Sequence, residues 1–475
     1  MNSKWKGPSA DLRNLATKRR TTPRNRGRLE VLNNTTAAAR TDAVLPKWNF
    51  AQFASELTEP APLTSARKAA WKRYSELPFP TRKVEEWRYT DISTIDFELL
   101  TPAIRTEEID EELPADVREI LSQSGDRAGV VVYQDGCVVH VELDQVLADA
   151  GVILCSLAQA AENHPELLQQ ALFETRPSTA EEKLWTLHLA ILSGGYLLHV
   201  PPGVELPAPI HTFNTLKTPG LLTSTHSLIM MEKSARAAVI EEFISEDLDE
   251  QTVSLHGASV HCKDSAGIEY VTVQQYGRGV AHFSTQHTVA HHNAKSITFN
   301  VGLGADLSRA DVTSRLLGPG SDSEMLALWF GDAQQHFDHH TLQHHKAPHA
   351  HSDLLFKGAL TDKASSVFRG LIQVDVGAQL TDAYQTNRNL LLSEGSHATA
   401  LPNLEIEADD VRCSHGATIG QVDNTQLFYL MSRGLTQRQA ERLLVFGFFD
   451  EVLGRLPMAG VRERIRGAIE EKIGL

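Results

Sequence analysis

No Cys-x-x-Cys pair occurs in this sequence, and its four cysteines, Cys137, Cys155, Cys262 and Cys413, are scattered over 475 residues. A disulfide framework or a structural zinc site needs clustered thiols. The pattern therefore excludes both as organising devices and fits reduced thiols in a cytosol-like compartment. Nor can the chain enclose an iron–sulfur cluster with its own convergent cysteines. Long apolar runs are missing as well. The longest strongly apolar piece, Leu443-Leu-Val-Phe-Gly-Phe-Phe449, is a core or docking segment, since a membrane span takes roughly 20 residues. The N-terminus has no secretory apolar core. No glycine is followed by lysine, so the Gly-x-x-x-x-Gly-Lys-Ser/Thr phosphate loop is absent, and any ATP-driven step falls to another polypeptide.

Positive charge is also short. Forty-five Lys and Arg face sixty Asp and Glu, a net charge of −15, which argues against nucleic acid as the main partner. The balance is uneven: Met1 to Arg40 carries ten basic and two acidic residues, +8, leaving −23 for the rest. Residues 1–46 read as a disordered basic head. A solvated tail or over-long start is one reading of it. An Arg-rich, acid-poor transit peptide is the other, and would move the expected location from cytoplasm to plastid.

What is present is globular: 41% hydrophobic against 22% charged, enough for a large core in two or three regions. Residues 47–194 read as helical and mixed. Ala54, Leu57 and Ala66–Leu77 carry helix formers until Pro78 and Pro80 stop them. Pro80-Thr-Arg-Lys-Val-Glu-Glu-Trp-Arg-Tyr-Thr90 reads as a capped turn, with Thr81 as cap and Trp87 and Tyr89 as packing anchors. Gly129 to Val141 is a hairpin around Asp135-Gly136, and Leu157–Leu172 and Thr179–Leu192 read as helices. From 195 to 420 short strand-like runs replace helical periodicity: Ala237–Ile244, Gly267–Gln275, Ser296–Gly302, Met325–Phe330, Ser366–Val376 and Asn389–Leu392. Such a texture suits a large sandwich or a parallel β-helix. Residues 421–475 turn helical. Thr436-Gln-Arg-Gln439 is a capping box opening a helix that Pro457 ends, and Val461–Ile473 is a second amphipathic helix.

Two places concentrate chemistry. Seven of the 21 histidines, His336, His339, His340, His344, His345, His349 and His351, fall within sixteen residues. Imidazole is a common metal ligand, so His340, His344, His349 and His351 are weak candidates for a metal site. Strand alternation lets only part of the set converge, and His349-Ala-His351 lacks the acid that follows the similar cupin motif. The second place is Leu401 to Gly420. Leu404, Ile406 and Ala408 alternate with acids as in a half-buried strand, and Val411, Cys413 and His415, again two apart, are read as its continuation. Thiol and imidazole on one face suit iron or zinc. A buried thiol with a hydrogen-bonded His, or a Cys-His nucleophile–base dyad oriented by Asp409 or Asp410, are the other readings.

Pro402 to Gly420, followed by Leu427-Phe-Tyr-Leu-Met-Ser-Arg-Gly434, resembles the C-terminal signature of the SufD side of the SufB/SufD family, scaffold subunits of the SUF iron–sulfur cluster assembly system. Pro80 to Thr90 resembles that family's N-terminal motif, and the likeness runs from Lys47 to the C-terminus. It implies a mixed α and β fold: a right-handed parallel β-helix core flanked by an N-terminal helical region and C-terminal helices. It implies a non-enzymatic subunit that pairs with SufB, with the SufC ATPase docking on the helical region Thr436–Pro457. Phe446, Phe448, Phe449 and Leu443 are the expected anchors there. His415, and less clearly Cys413, would serve a nascent iron–sulfur cluster shared with SufB. A flavin has been associated with the family's complex, although nothing in this sequence marks a flavin site. A different class remains beside it, an independent His-rich metal binder or metal-dependent enzyme.

Overall fold

The computed structural model describes residues 48–475 except 58, 98, 105–114, 124, 173–180, 457 and 474–475. The expected basic head, 1–46, lies outside the described residues. From residue 194 the chain alternates between two parallel sheets, each strand pairing with the one two places earlier. One sheet runs Gly194–Val200, Leu221–Met231, Thr252–Cys262, Val280–Ala290, Leu307–Leu316, His336–His345, Ser365–Val374 and His397–Ile406. Its opposite runs Ile210–Leu216, Arg236–Ser245, Gly267–Gln275, Lys295–Gly302, Asp322–Gly331, His351–Leu360, Asp382–Leu391 and Arg412–Gln421. This is a parallel β-solenoid, the expected β-helix core.

The repeat is written in the corners. Ser234, Ser265, Asn293 and His349 each adopt positive φ, between 53° and 60°, and each precedes a buried alanine: Ala235, Ala266, Ala294 and Ala350. A small residue there lets the chain turn tightly into the next strand. The spacing holds side chains in ladders, as where Ser308 pairs with Phe337 and Phe337 with Ser366.

Both outer faces are partly covered. Helices Ala61–Glu76 and Glu182–Ala190 belong to a core that includes Leu222, Val253, Leu255, Ala281 and Phe283 of the first sheet. On the other side, Gln437–Leu453 and Ala459–Ile473 place Val445, Phe449, Val452, Ile465 and Ile469 against Ile240, Val271, Phe299, Leu326 and Leu355. The Thr436–Gln439 capping box forms as expected, but the helix stops at Leu453, with Gly454 as its cap, short of Pro457. Trp87 is buried under the Arg309 guanidinium, 3.9 Å from the ring centre, whereas Tyr89 is 41% exposed and anchors little.

The two ends differ. At the N-terminal end, the hairpin Gly129–Gln134/Cys137–Leu143 and the antiparallel strand Ile153–Ser156 close the sheets. At the C-terminal end, His397–Ile406 and Arg412–Gln421 are edge strands, the first mostly half-buried and the second almost wholly exposed. The single strand expected from Leu404 to His415 is corrected here. Residues 407–411 form a turn, so Leu404 and His415 sit on opposite sheets. The turn is marked in the sequence after all, because the apolar parity shifts at Asp409-Asp410 from positions 404, 406 and 408 to 411, 413 and 415.

Candidate functional site at the open end

The last strand displays the residues singled out in the sequence. Cys413 is half-buried beside Ile372, Val374, Ala378, Ala383 and Ala408. Burial pushes its thiol pKa up, and the Asp382 carboxylate adds to the rise. A thiol held protonated is a poor nucleophile. His415 is exposed, pairs in register with Gln385, and makes no hydrogen bond within the described residues. Asp409 and Asp410 lie in the preceding turn, where the Asp410 amide donates to Gln379 Oε1 (2.9 Å). The dyad reading thus lacks an orienting acid. What remains is a half-buried thiol and an open imidazole on the outermost coil, available to a ligand that arrives from outside.

The floor beneath is polar. Gln385 is 1% exposed, and neither its amide nitrogen nor its oxygen has a partner. Asn389 donates to Asn387 (2.8 Å), and Asn387 to the Phe356 carbonyl (3.2 Å). Gln343 and His345 both reach Ser352, at 2.7 and 2.8 Å.

The seven clustered histidines do not converge. His339 and His345 are buried, His339 stacked on Trp329 with ring centres 4.4 Å apart; burial lowers their pKa values to about 4 and about 3. His344 pairs with Asp375 (2.9 Å) and His351 with Asp322 (3.1 Å), while His349 is an exposed corner residue at φ 58°. His340 alone joins a group with metal-like spacing, its ligand atom and those of Glu181 and Asp311 lying within 4.8 Å of one another. A cation already stands there. Arg309, 1% exposed, bonds Glu181 and Asp338 at 2.5 Å, and lies 3.2 Å from His340. Burial raises the Asp311 pKa to about 7, while Arg309 and His340 hold Asp338 well below the usual carboxylate range despite its burial. The cluster locks the Trp87 turn and Glu181 onto the solenoid.

The expected docking anchors divide. Phe449 is fully buried, and Phe446 and Phe448 pack partly on the same core, so these three hold the helix to the sheet. Leu443 is 48% exposed. Beside it in sequence, helix Asn424–Ser432 leaves Phe428 73% and Tyr429 55% exposed, with no buried residue of its own. Their signal in the sequence is the run Leu427-Phe-Tyr-Leu-Met431, five consecutive apolar residues that one face of a nine-residue helix cannot bury. Arg309 and Gln385 gave no comparable signal, because their partners lie a coil away in sequence.

Comparison with known proteins gives two family matches. The SufBD core domain of SUF system FeS cluster assembly matches residues 214–448, and the SufBD protein N-terminal region matches 50–212. The iron-sulfur cluster assembly protein SufD of Bacillus subtilis (strain 168) is 30% identical over 89% of this chain and 96% of its own length. A SufBD family protein of Synechocystis sp. is 28% identical over 91% and 99% respectively. One from Mycobacterium leprae is 33% identical over 57% and 70%.

Proposed function

Because the chain belongs to the SufBD family of iron–sulfur cluster assembly proteins, we propose that it is the SufD-type, non-catalytic scaffold subunit of a SUF complex. It pairs with a SufB subunit through the open end of its solenoid and offers His415 to a nascent iron–sulfur cluster built at that junction. The observation that carries this is the edge strand Arg412–Gln421, paired on one side only, with Asp382–Leu391, and exposed along nearly its whole length. A parallel stack needs a cap at each end, and an open edge is a template for another chain's strand. Among the described residues the N-terminal end is closed and the C-terminal end is not. Cys413 and His415 sit on the open edge, so a partner's ligands would meet them at the seam.

The nascent cluster is cargo, held in part by each subunit. His415 supplies an imidazole nitrogen, and the Cys413 thiol would need to lose its proton before binding iron. The SufC ATPase docks on the C-terminal helices, where Phe428, Tyr429, Met431 and Leu443 present apolar surface; exposed aromatics of this kind tend to carry interface energy. The reading as an independent His-rich metal binder draws no support from histidines that face different neighbours instead of a common point.

Hydrogen exchange tests the pairing. The outward-facing amides of Arg412–Gln421, the alternate ones that do not donate to Asp382–Leu391, should exchange fast in the isolated chain and become protected, together with their counterparts in His397–Ile406, when the SufB partner is added. Equal exchange with and without the partner would refute the end-to-end contact.

A further inference from the structure

One buried polar side chain at the open end has no assigned task. Gln385 is the direct register partner of His415, one coil down, a separation of about 4.8 Å between neighbouring strands. Its amide is buried with donor and acceptor both unsatisfied, a state that native structures tolerate rarely. The surrounding polar side chains are committed elsewhere: Asn387 to the Phe356 carbonyl, Asn389 to Asn387, and the Gln343 nitrogen to Ser352 and the Tyr384 carbonyl.

Sterics fix where the amide lies. It crosses the interior to the opposite sheet at Gly370, where an added Cβ would stand 2.6 Å from Gln385 Oε1. Gly370 in turn pairs with Pro402 of the outermost coil. By the same stacking, the His415 position has the Gln385 amide below it and an apolar proline ring on the opposite sheet.

We propose that Gln385 is a positioning residue for His415, its amide oxygen accepting the imidazole N–H once the open end is covered and a metal ion takes the other ring nitrogen. This rests on the assembly role proposed above and deepens it. A ligating imidazole almost always gives its second N–H to an acceptor, which fixes tautomer and ring orientation. A neutral amide does this without adding charge to a site that must both load and release its cargo. The vacant hydrogen-bonding capacity of Gln385 in the uncapped chain is then the feature that capping uses.

The test is Gln385→Leu, measured in the isolated chain and in the SufB-containing complex. Leucine already occupies the matching place one coil earlier, Leu354, so the substitution keeps shape and removes two unsatisfied polar atoms. The isolated variant should melt at or above the parent's temperature and still assemble. Cluster yield per complex should fall about 10-fold or more, the usual scale for loss of such a partner. Nitrogen-15 NMR of His415 in the complex should pass from one tautomer to a mixture. Parent-like yield with an unchanged tautomer would overturn the proposal. So would a lower melting temperature with failed assembly, which would make Gln385 structural. His415→Ala run alongside separates the two ideas. If it loses yield while Gln385→Leu does not, only the positioning role fails; if it retains full yield, the assembly reading fails and takes this inference with it.

Discussion

Acid should unfold this protein well before its carboxylates are neutralised, because the fold stores histidines in neutral form. His188, His282 and His287 are held at pKa values of about 3, His339 at about 4, and His226 well below its ordinary value. In each case burial is the leading cause and neighbouring positive or titratable groups add to it, although at His339 the Asp338 carboxylate opposes it. Released into the unfolded chain, each regains a pKa near 6.5. Between that value and the folded one, the unfolded state binds more protons, so stability is full above about pH 6.5 and drains as pH falls. At pH 5 each group costs about 2 kcal/mol, and five together about 10 kcal/mol. Asp311, with its folded pKa raised to about 7, works the other way, returning about 3 kcal/mol at pH 5 because the folded state takes that proton first. The remainder, about 7 kcal/mol, rivals the 5–15 kcal/mol by which domains are ordinarily stable. Trp185 packs against His188, His226 and His287, with ring centres 5.0 to 6.0 Å away, and reports on them directly. Urea titrations followed by tryptophan fluorescence should show the midpoint falling steeply between pH 7.5 and 5.0, with uptake of at least about four protons on unfolding, since His345 and His211 are lowered in the same way. Equal midpoints at the two pH values would refute the reasoning.

The C-terminal helices separate packing from docking. Phe449→Ala removes a fully buried ring from the helix–sheet contact and should cost about 3–5 kcal/mol of stability. Phe428→Ser with Leu443→Ser alters only exposed side chains and should leave the melting temperature within a degree or two, while the ATPase no longer co-purifies. Unchanged co-purification would place the ATPase contact elsewhere.

Much of this architecture is legible in the sequence, and unevenly so. Five of the six strands expected between residues 195 and 400 fall on the sheet that the C-terminal helices cover. Buried on both faces, that sheet reads as apolar runs such as Met325-Leu-Ala-Leu-Trp-Phe330. The other sheet includes strands such as Leu307–Leu316 and His336–His345, whose polar side chains mask any alternation. In His336–His345 the crowded histidines invite a metal reading, yet neighbours in sequence point to opposite faces and find separate partners. His415 and Cys413 are visible as a pair because their motif is local. Gln385 is not, since its meaning depends on a residue thirty positions away that only the coil register brings above it. Phe449 was expected at a docking surface because an apolar helix stripe does not tell which side faces a neighbour.

The central claim is that an exposed imidazole on the outermost coil completes a ligand set begun by another subunit. Iron and sulfide bound per SufB-containing complex, counted for the parent, for His415→Ala, and for a variant with His340, His344, His349 and His351 all changed to Gln, test it most directly. The account predicts an intact complex in all three, cluster lost only in His415→Ala, and parent-like loading in the fourfold variant. Full loading in His415→Ala, or loss confined to the fourfold variant, would contradict it.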